Sequence, residues 1–257
     1  MELKNIIVIL ITIFISSCTV YRHPRLQANV FEVKDGNTLN YNIYYPDGYG
    51  KSKEGFPLFI WLHGSGERGN DNVSQLVHVV PYLVSDKVQS KFPCIVLAPQ
   101  CPKELTWSPL KKNEWAVLNS GVITKPMEKL IHLIEVLLQD TQIDKKRVYL
   151  GGLSMGGFGT YDLLSRQPEW FSGAIPVCGG SDLDKIHKYK SVPLWIFHGA
   201  EDDVVPVETS HDVLNALKVY GITPKYTEYP NGGHNVWDTA IREPELLPWL
   251  FVQRKLK

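Results

Sequence analysis

The feature that most constrains this chain is a serine between two glycines that follows a short β-rich run. Gly152-Leu153-Ser154-Met155-Gly156 comes after Arg147-Val148-Tyr149-Leu150 and opens a stretch with helical spacing. A serine at an abrupt turn from strand to helix is held in a strained backbone conformation, so the residues two positions away must be almost free of side chain. Gly152 and Gly156 meet that requirement, and the pattern predicts a nucleophile elbow that presents Ser154.

Strand-like and helix-like segments alternate along most of the chain. The strand-like runs are continuously apolar, as expected for parallel strands that are covered on both faces. They are Leu58 to Leu62, Ile95 to Ala98, Val148 to Leu150, Ala174 to Val177 and Leu194 to Phe197, followed by Tyr226 to Tyr229. Helical spacing is found in Met127 to Leu138, Gly157 to Ser165, Val207 to Tyr220 and a final stretch toward Leu250. The alternation predicts an α/β fold with a mostly parallel, doubly wound sheet.

An antiparallel hairpin is expected before these parallel strands. Val30 to Val33 and Thr38 to Tyr45 are strand-like and flank Lys34-Asp35-Gly36-Asn37, and Asp-Gly is a strong signal for a tight hairpin turn. The chain has 257 residues, of which 44% are hydrophobic, so it can form one large core. We therefore predict a single catalytic domain over residues 29–257.

The N-terminus has the pattern of an export signal. An apolar run from Ile6 to Ile15 is too short to span a membrane comfortably, and it is followed by Ser16-Ser17-Cys18. Ile15-Ser16-Ser17-Cys18 resembles a bacterial lipobox. The resemblance implies an exported, membrane-anchored lipoprotein in which residues 1–17 are the signal peptide, Cys18 carries the lipid and residues 18–28 form a tether. A plain secretory signal with Cys18 as a bystander is the alternative.

Charge and cysteine content indicate what kind of partner to expect. Lys and Arg together number 27, as do Asp and Glu, so the formal net charge is zero and no nucleic-acid-binding surface is predicted. A small-molecule partner is expected instead. The spacing of Cys94, Cys101 and Cys178 matches no metal site, and we expect these cysteines to be free thiols.

Two later loops carry candidate partners for Ser154. The carboxyl ends of parallel strands converge on one crevice, and there Asp202 and Asp203 follow one strand while His234 follows the next. A histidine base activates serine, and a carboxylate orients the imidazole and stabilises its charged form. The order Ser, Asp, His is the one expected for an α/β-hydrolase, with either aspartate available as the acid.

The glycine-rich segment Leu62-His63-Gly64-Ser65-Gly66-Glu67-Arg68-Gly69 leaves an earlier strand. A tetrahedral intermediate carries negative charge on the former carbonyl oxygen, and two backbone N–H groups can bind that charge. We assign these donors to Met155, which follows Ser154, and to Ser65. The alternative is a structural turn in which Glu67 and Arg68 are merely solvated.

The stretch from Pro99 to Thr124 is irregular and contains Trp107 and Trp115. Long loops on rigid scaffolds often carry recognition, so we assign both tryptophans to the substrate pocket. The alternative is that they pack the loop onto the body of the protein.

Together these segments resemble the α/β-hydrolase superfamily. The resemblance is to small exported esterases grouped with dienelactone hydrolases, phospholipase/carboxylesterases and the catalytic domains of prolyl oligopeptidases. It covers nearly the whole mature chain. The segments that carry it are Leu62 to Gly69, Ala98-Pro99-Gln100-Cys101-Pro102, Gly152 to Gly157, Pro176 to Gly180, His198-Gly199-Ala200-Glu201-Asp202-Asp203-Val204-Val205-Pro206 and Gly233-His234-Asn235-Val236-Trp237-Asp238.

The resemblance adds expectations about the site and the reaction. In these families the acid is the fourth residue after the histidine of the His-Gly pair, which implies Asp202, four residues after His198. It also implies a serine esterase that forms an acyl-serine intermediate and uses no metal or organic cofactor. We expect carboxylic esters as substrates, including acylated carbohydrate outside the cytoplasm. The alternatives are a serine peptidase acting on short peptides and a noncatalytic surface-binding lipoprotein.

Overall fold

The computed structural model of the protein describes residues 24–32, 38–111 and 121–255. One mixed sheet contains eight strands in the order β1-β2-β4-β3-β5-β6-β7-β8. The strands are β1 (Leu26–Glu32), β2 (Thr38–Tyr44), β3 (Phe56–Leu62), β4 (Ile95–Pro99), β5 (Ile143–Leu153), β6 (Gly173–Val177), β7 (Trp195–Gly199) and β8 (Lys225–Tyr229). The helices are α1 (Val79–Leu83), α2 (Asp86–Gln89), α3 (Lys125–Leu137), α4 (Met155–Arg166), α5 (Ile186–Tyr189), α6 (Glu208–Val219), α7 (Trp237–Ala240) and α8 (Leu246–Phe251).

The strand directions confirm the predicted fold class. β1 and β2 pair antiparallel, as does β2 with β4, and every pair from β4 through β3 to β8 is parallel. The hairpin turn predicted at Asp35-Gly36 lies outside the described residues. The structure is therefore an α/β fold with an N-terminal antiparallel hairpin on a parallel sheet.

Strand β1 begins earlier than the sequence predicts. Residues 26–28 fall in the predicted tether, but Leu26 is buried and pairs opposite Tyr44 in the sheet. The start of the strand escapes detection because it lies at the sheet edge, where Gln27 and Ala28 are exposed and the apolar signal is weak. The sheet therefore starts at Leu26, three residues before the predicted start of the catalytic domain.

Helices cover both faces of the sheet, which explains the unbroken apolar runs. On β3, Leu58, Ile60 and Leu62 face a core shared with α3, α4, α5 and α6. Phe59 and Trp61 alternate with them and face a core shared with α1, α2, α7 and α8. Strand β3 is thus apolar at every position. None of the helices in the described ranges is long and apolar enough to span a bilayer.

The strand order places one crevice between β3 and β5. The chain crosses from β3 to β4 on one side and from β5 to β6 on the other, so the loops after β3 and β5 diverge at neighbouring carboxyl ends. Ligands bind at such switch points in open α/β sheets. Leu62 pairs with Gly152 at this edge, which places the glycine-rich segment beside the serine turn.

Trp107 is a core residue, which overturns its assignment to the substrate pocket. Its side chain is fully buried, its indole N–H donates to the His63 carbonyl at 3.1 Å, and its ring packs edge-on against the His63 imidazole. The backbone carbonyl of Trp107 also accepts from the Thr124 hydroxyl at 2.8 Å. Trp107 therefore pins the irregular stretch to the body. Trp115, assigned to the same pocket, lies outside the described residues.

We expect Trp107→Phe to lower the free energy of unfolding by about 1 to 3 kcal/mol, because it leaves the buried His63 carbonyl without its donor. KM for a small ester should stay unchanged. Chemical denaturation and steady-state kinetics check the two expectations. The matched control is Trp170→Phe, which replaces a partly exposed indole that packs against Phe171. It should lower the free energy of unfolding by less than Trp107→Phe does. An unchanged unfolding curve with a raised KM would restore the pocket assignment.

Candidate active site

Ser154 occupies the strained turn that the sequence predicts. It has φ +52° and ψ −119° between the end of β5 and the start of α4. A methyl group at Gly156 would lie 2.1 Å from the Leu62 carbonyl oxygen, and one at Gly152 would lie 2.4 Å from the Gly156 oxygen. Only glycine fits at these two positions, because strand and helix backbones are in direct contact there.

The structure brings Ser154, His234 and Asp202 into one hydrogen-bonded chain. His234 Nε2 is 2.9 Å from Ser154 Oγ, and His234 Nδ1 is 2.8 Å from Asp202 Oδ2. A carboxylate can only accept, so Nδ1 carries the proton and Nε2 is left to accept from the serine hydroxyl. The three elements that supply these groups end at the same edge of the sheet, although 80 residues separate Ser154 from His234.

Asp202 is held as a buried anion. Its side chain is 0% exposed, and its Oδ1 accepts from the Val204 and Val205 N–H groups at 2.9 and 2.8 Å. Burial raises the pKa of Asp202, but hydrogen bonds from His198 and His234 and from the two backbone N–H groups outweigh it, so the pKa lies well below its usual value. The rival Asp203 is exposed. The geometry therefore selects Asp202 as the partner of His234.

The acid loop (residues 200–206) and the histidine loop (residues 230–236) are joined through their backbones. Glu201 N–H donates to the Gly232 carbonyl at 2.9 Å. A methyl group at Gly199 would lie 2.3 Å from the carbonyl oxygens of both Gly232 and Gly233. The glycine of the His-Gly pair is therefore required because the two loops touch at this point.

His198 contacts the Asp202 carboxylate and the residues of the acid loop. It is fully buried, with Nδ1 2.7 Å from the Ser210 hydroxyl and Nε2 2.9 Å from the Val205 carbonyl. The same Nε2 lies 3.2 Å from Asp202 Oδ2. His198 thus organises the acid loop, as expected for a histidine at a strand end before glycine.

The two residues that the sequence nominates as oxyanion donors both stand in segments next to Ser154. Met155 is the first residue of α4, so its N–H has no acceptor within the helix and lies at the positive end of the helix dipole. Ser65 begins a single 3-10 turn, the oxyanion loop (Gly64–Glu67), directly after Gly64. A methyl group at Gly64 would lie 3.5 Å from Ser154 Cβ, so this loop lies against the serine.

Comparison with known proteins agrees with this geometry. The family model described as Phospholipase/Carboxylesterase matches residues 50–243. The chain belongs to the phospholipase/carboxylesterase family. The crystal structure of a thermostable esterase, 36% identical, superposes on 90% of this chain and 64% of its own chain, with a TM-score of 0.81. The α/β-hydrolase resemblance seen in the sequence is confirmed.

Two curated relatives differ in how much of their length this chain spans. Carboxylesterase SOBER1 of Arabidopsis thaliana is 24% identical over 228 residues, which cover 78% of this chain and 91% of that protein. The bifunctional acetylxylan esterase/xylanase XynS20E of Neocallimastix patriciarum is 30% identical over 112 residues, which cover 42% of this chain and 17% of that protein. The match to XynS20E thus involves one part of a much longer protein.

A third histidine of this carboxylesterase-family chain has a structural role. His63 is buried, accepts from the Cys101 N–H through Nε2 at 2.9 Å, and places Nδ1 2.6 Å from the Gly64 carbonyl. Burial lowers the pKa of His63 to about 4, against the raising effect of its contact with Gly64 and of the nearby Glu67. A neutral His63 with its proton on Nδ1 satisfies both contacts and fixes the start of the oxyanion loop.

The cysteines in the described part of the chain are free thiols, and Cys178 lies next to His234. Among the described residues, Cys94, Cys101 and Cys178 are buried and unbridged, as predicted. Cys178 Sγ is 3.4 Å from the His234 carbonyl oxygen, and the thiol, the Asp202 carboxylate and the His234 ring offer metal-ligand atoms within 4.8 Å of one another. A metal ion there would have to break the hydrogen bond between His234 and Asp202, so this set suits catalysis better than metal binding.

The sequence does not indicate the polar contacts made by the last residue of the oxyanion loop. Glu67, expected to be solvated if this segment were only a structural turn, has a side chain only 14% exposed and lies 3.4 Å from His78. His78 in turn lies 3.7 Å from Asp238, which follows His234 by four positions. Glu67 and Asp238 both stand in segments that carry the family resemblance, whereas nothing in the sequence around His78 marks it.

Proposed function

We propose that the protein is a serine esterase in which Ser154 is the nucleophile, His234 the general base and Asp202 the acid. The observation that carries this proposal is the continuous chain of hydrogen bonds from Ser154 Oγ through His234 to the buried Asp202 carboxylate. A strained serine and a buried carboxylate both lower the stability of the folded protein. Binding alone does not require either feature, so their presence favours a catalytic role.

The first half of the reaction transfers the acyl group to the serine. Ser154 Oγ attacks the ester carbonyl carbon while His234 Nε2 takes the hydroxyl proton, and Asp202 stabilises the imidazolium that forms. The N–H groups of Met155 and Ser65 bind the negative oxygen of the tetrahedral intermediate. As the intermediate collapses, the bond to the alcohol oxygen breaks and His234 gives its proton to the leaving alcohol.

Water completes the cycle by the same steps in reverse order. His234 removes a proton from the water molecule as its oxygen attacks the acyl carbon, and the two N–H groups bind the second tetrahedral intermediate. Collapse releases the carboxylic acid and returns the proton to Ser154 Oγ. Every proton transfer passes through His234 Nε2, which is why its orientation by Asp202 matters.

We expect Asp202→Asn to lower kcat for p-nitrophenyl acetate by about 10³- to 10⁴-fold, because an amide no longer fixes the tautomer of His234 or stabilises its charge. The adjacent, exposed Asp203→Asn should retain nearly full activity and is the matched control. Ser154→Ala should abolish turnover. Initial rates on purified variants, with circular dichroism to verify folding, make the test. Greater damage from Asp203→Asn would refute the acid assignment, and turnover by folded Ser154→Ala would refute the mechanism.

For the substrate we propose an ester of a carbohydrate, located outside the cytoplasm. Two observations support this: the export pattern of the N-terminus and the similarity to the acetylxylan esterase/xylanase of Neocallimastix patriciarum. The fold alone does not indicate the substrate, because it hosts many acyl chemistries. The similarity to an acetylxylan esterase is therefore more specific support than the fold.

A substrate panel tests this proposal. We expect kcat/KM for acetylated xylo-oligosaccharides or feruloylated sugars to exceed that for the matching simple alkyl esters by about tenfold, since an alcohol portion that fits the site adds binding energy in the transition state. Proline-containing short peptides should not be cleaved. Equal rates on sugar and alkyl esters would contradict the carbohydrate assignment, and preferential cleavage of the peptides would favour the peptidase alternative.

We also propose that the protein is anchored by a lipid on Cys18, which lies outside the described residues. The lipobox-like sequence before it supports this, and several acyl chains on one residue hold a protein stably because each buried methylene adds about 0.8 kcal/mol. Cells fed an alkyne analogue of palmitate should label the wild type. The label should be absent from Cys18→Ser, and an unlabelled wild type would leave only the plain secretory signal.

A further inference from the structure

The carboxylate of Glu67 packs against Gly64, at the start of the oxyanion loop. Glu67 is the last residue of a turn that begins directly after Gly64. Gly64 therefore precedes Glu67 by three positions, and at this spacing a glutamate side chain can reach back to the start of its own turn. A methyl group placed at Gly64 would lie 3.1 Å from Glu67 Oε2 and 3.5 Å from Ser154 Cβ. Gly64 is therefore held between the nucleophile and this carboxylate.

Glu67 Oε2 is buried, so it is closed to water and to substrate alike in this conformation. Glu67 Oε1 lies 3.4 Å from His78 Nε2. The backbone is fixed as well, because Gln100 donates to the Glu67 carbonyl at 3.4 Å and Arg68 Nε donates to the Ser65 carbonyl at 2.9 Å. A carboxylate held in this way cannot bind substrate, but it can set the position of the loop.

His78 connects this carboxylate to the histidine side of the site. Its Nδ1 is 3.7 Å from Asp238 Oδ2. Its ring packs edge-on against Trp237 with centroids 5.3 Å apart, and the Trp237 ring also packs edge-on against the His234 ring, again with centroids 5.3 Å apart. One contiguous set of side chains therefore runs from the oxyanion loop to the general base.

We propose that Glu67 is a positioning residue for the oxyanion loop, and that His78 and Asp238 hold it so that this loop and the histidine loop form one rigid unit. The proposal rests on the proposed roles of Ser154 and Ser65 and does not depend on the alcohol portion of the substrate. Its effect is on kcat, because the Ser65 N–H binds charge that develops only in the transition state.

The unit depends on charge, because an imidazolium between two carboxylates binds both of them. The charged groups that face His78 are Glu67 from the oxyanion loop and Asp238 from α7, and Asp238 also lies 3.5 Å from Arg242. The hydrogen bond with Glu67 raises the pKa of His78 above its usual value, and the negative charge of Asp238 adds to this effect. Desolvation of the ring lowers the pKa but is outweighed. The positive charge is therefore present at lower pH and is lost as the pH rises through that raised pKa.

The test compares kcat and KM for p-nitrophenyl acetate across neutral and alkaline pH, corrected for hydrolysis without enzyme. Glu67→Gln and His78→Gln should lower kcat by about ten- to a hundredfold, as expected for a displaced transition-state contact, while KM changes by less than about twofold. His78→Lys keeps a positive charge that titrates at a higher pH, so it should restore most of kcat and move the alkaline decline upward. Glu54→Gln, an exposed glutamate before β3, is the matched control and should behave as wild type.

The outcomes separate this inference from the proposed function. If Ser154→Ala is inactive but Glu67→Gln and His78→Gln keep the wild-type kcat and pH profile, the positioning role is wrong and the esterase mechanism stands. A rise in KM at constant kcat, or a failure of His78→Lys to exceed His78→Gln, would also overturn it. His78 is partly exposed, so its variants provide the decisive data if Glu67→Gln fails to fold.

Discussion

The buried carboxylate of Asp202 is the interaction on which the arrangement of the site depends. An unpaired charge in the interior costs several kcal/mol, so the chain must surround this group with donors. It does so with His234, with His198 and with two N–H groups of the acid loop itself. Because these donors come from strand β7 and from two different loops, satisfying one carboxylate also fixes the imidazole opposite Ser154.

The parallel sheet supplies the rigid frame for this arrangement. Strands β3, β5, β7 and β8 end at one edge, and contacts between backbones there leave room only for glycine at Gly152, Gly156 and Gly199. The same close contacts that force Ser154 into its strained conformation keep it within reach of His234. Strain at the nucleophile and precision at the base therefore have one structural cause, namely the dense packing of loops over the carboxyl ends.

Local patterns predicted most of the fold, whereas contacts between distant segments were only partly predictable. The apolar runs and the glycines around Ser154 are readable because each reflects a constraint within a few residues. Choosing Asp202 over Asp203 needed a family spacing, since adjacent side chains point in different directions only once the loop is folded. The burial of Trp107 was not predictable, because an indole in an irregular segment serves equally well as core or as pocket wall. His78 was missed because its partners are distant in the sequence.

In the mechanism proposed here, one serine, activated by its place in this fold, carries the acyl group. Its most direct test is reaction of the native protein with a fluorophosphonate, which phosphonylates activated serines, followed by mass spectrometry of the peptides. We expect one added group per chain, located on Ser154, together with loss of esterase activity in proportion to labelling. Modification of a different residue, or full esterase activity with no label on Ser154, would contradict it.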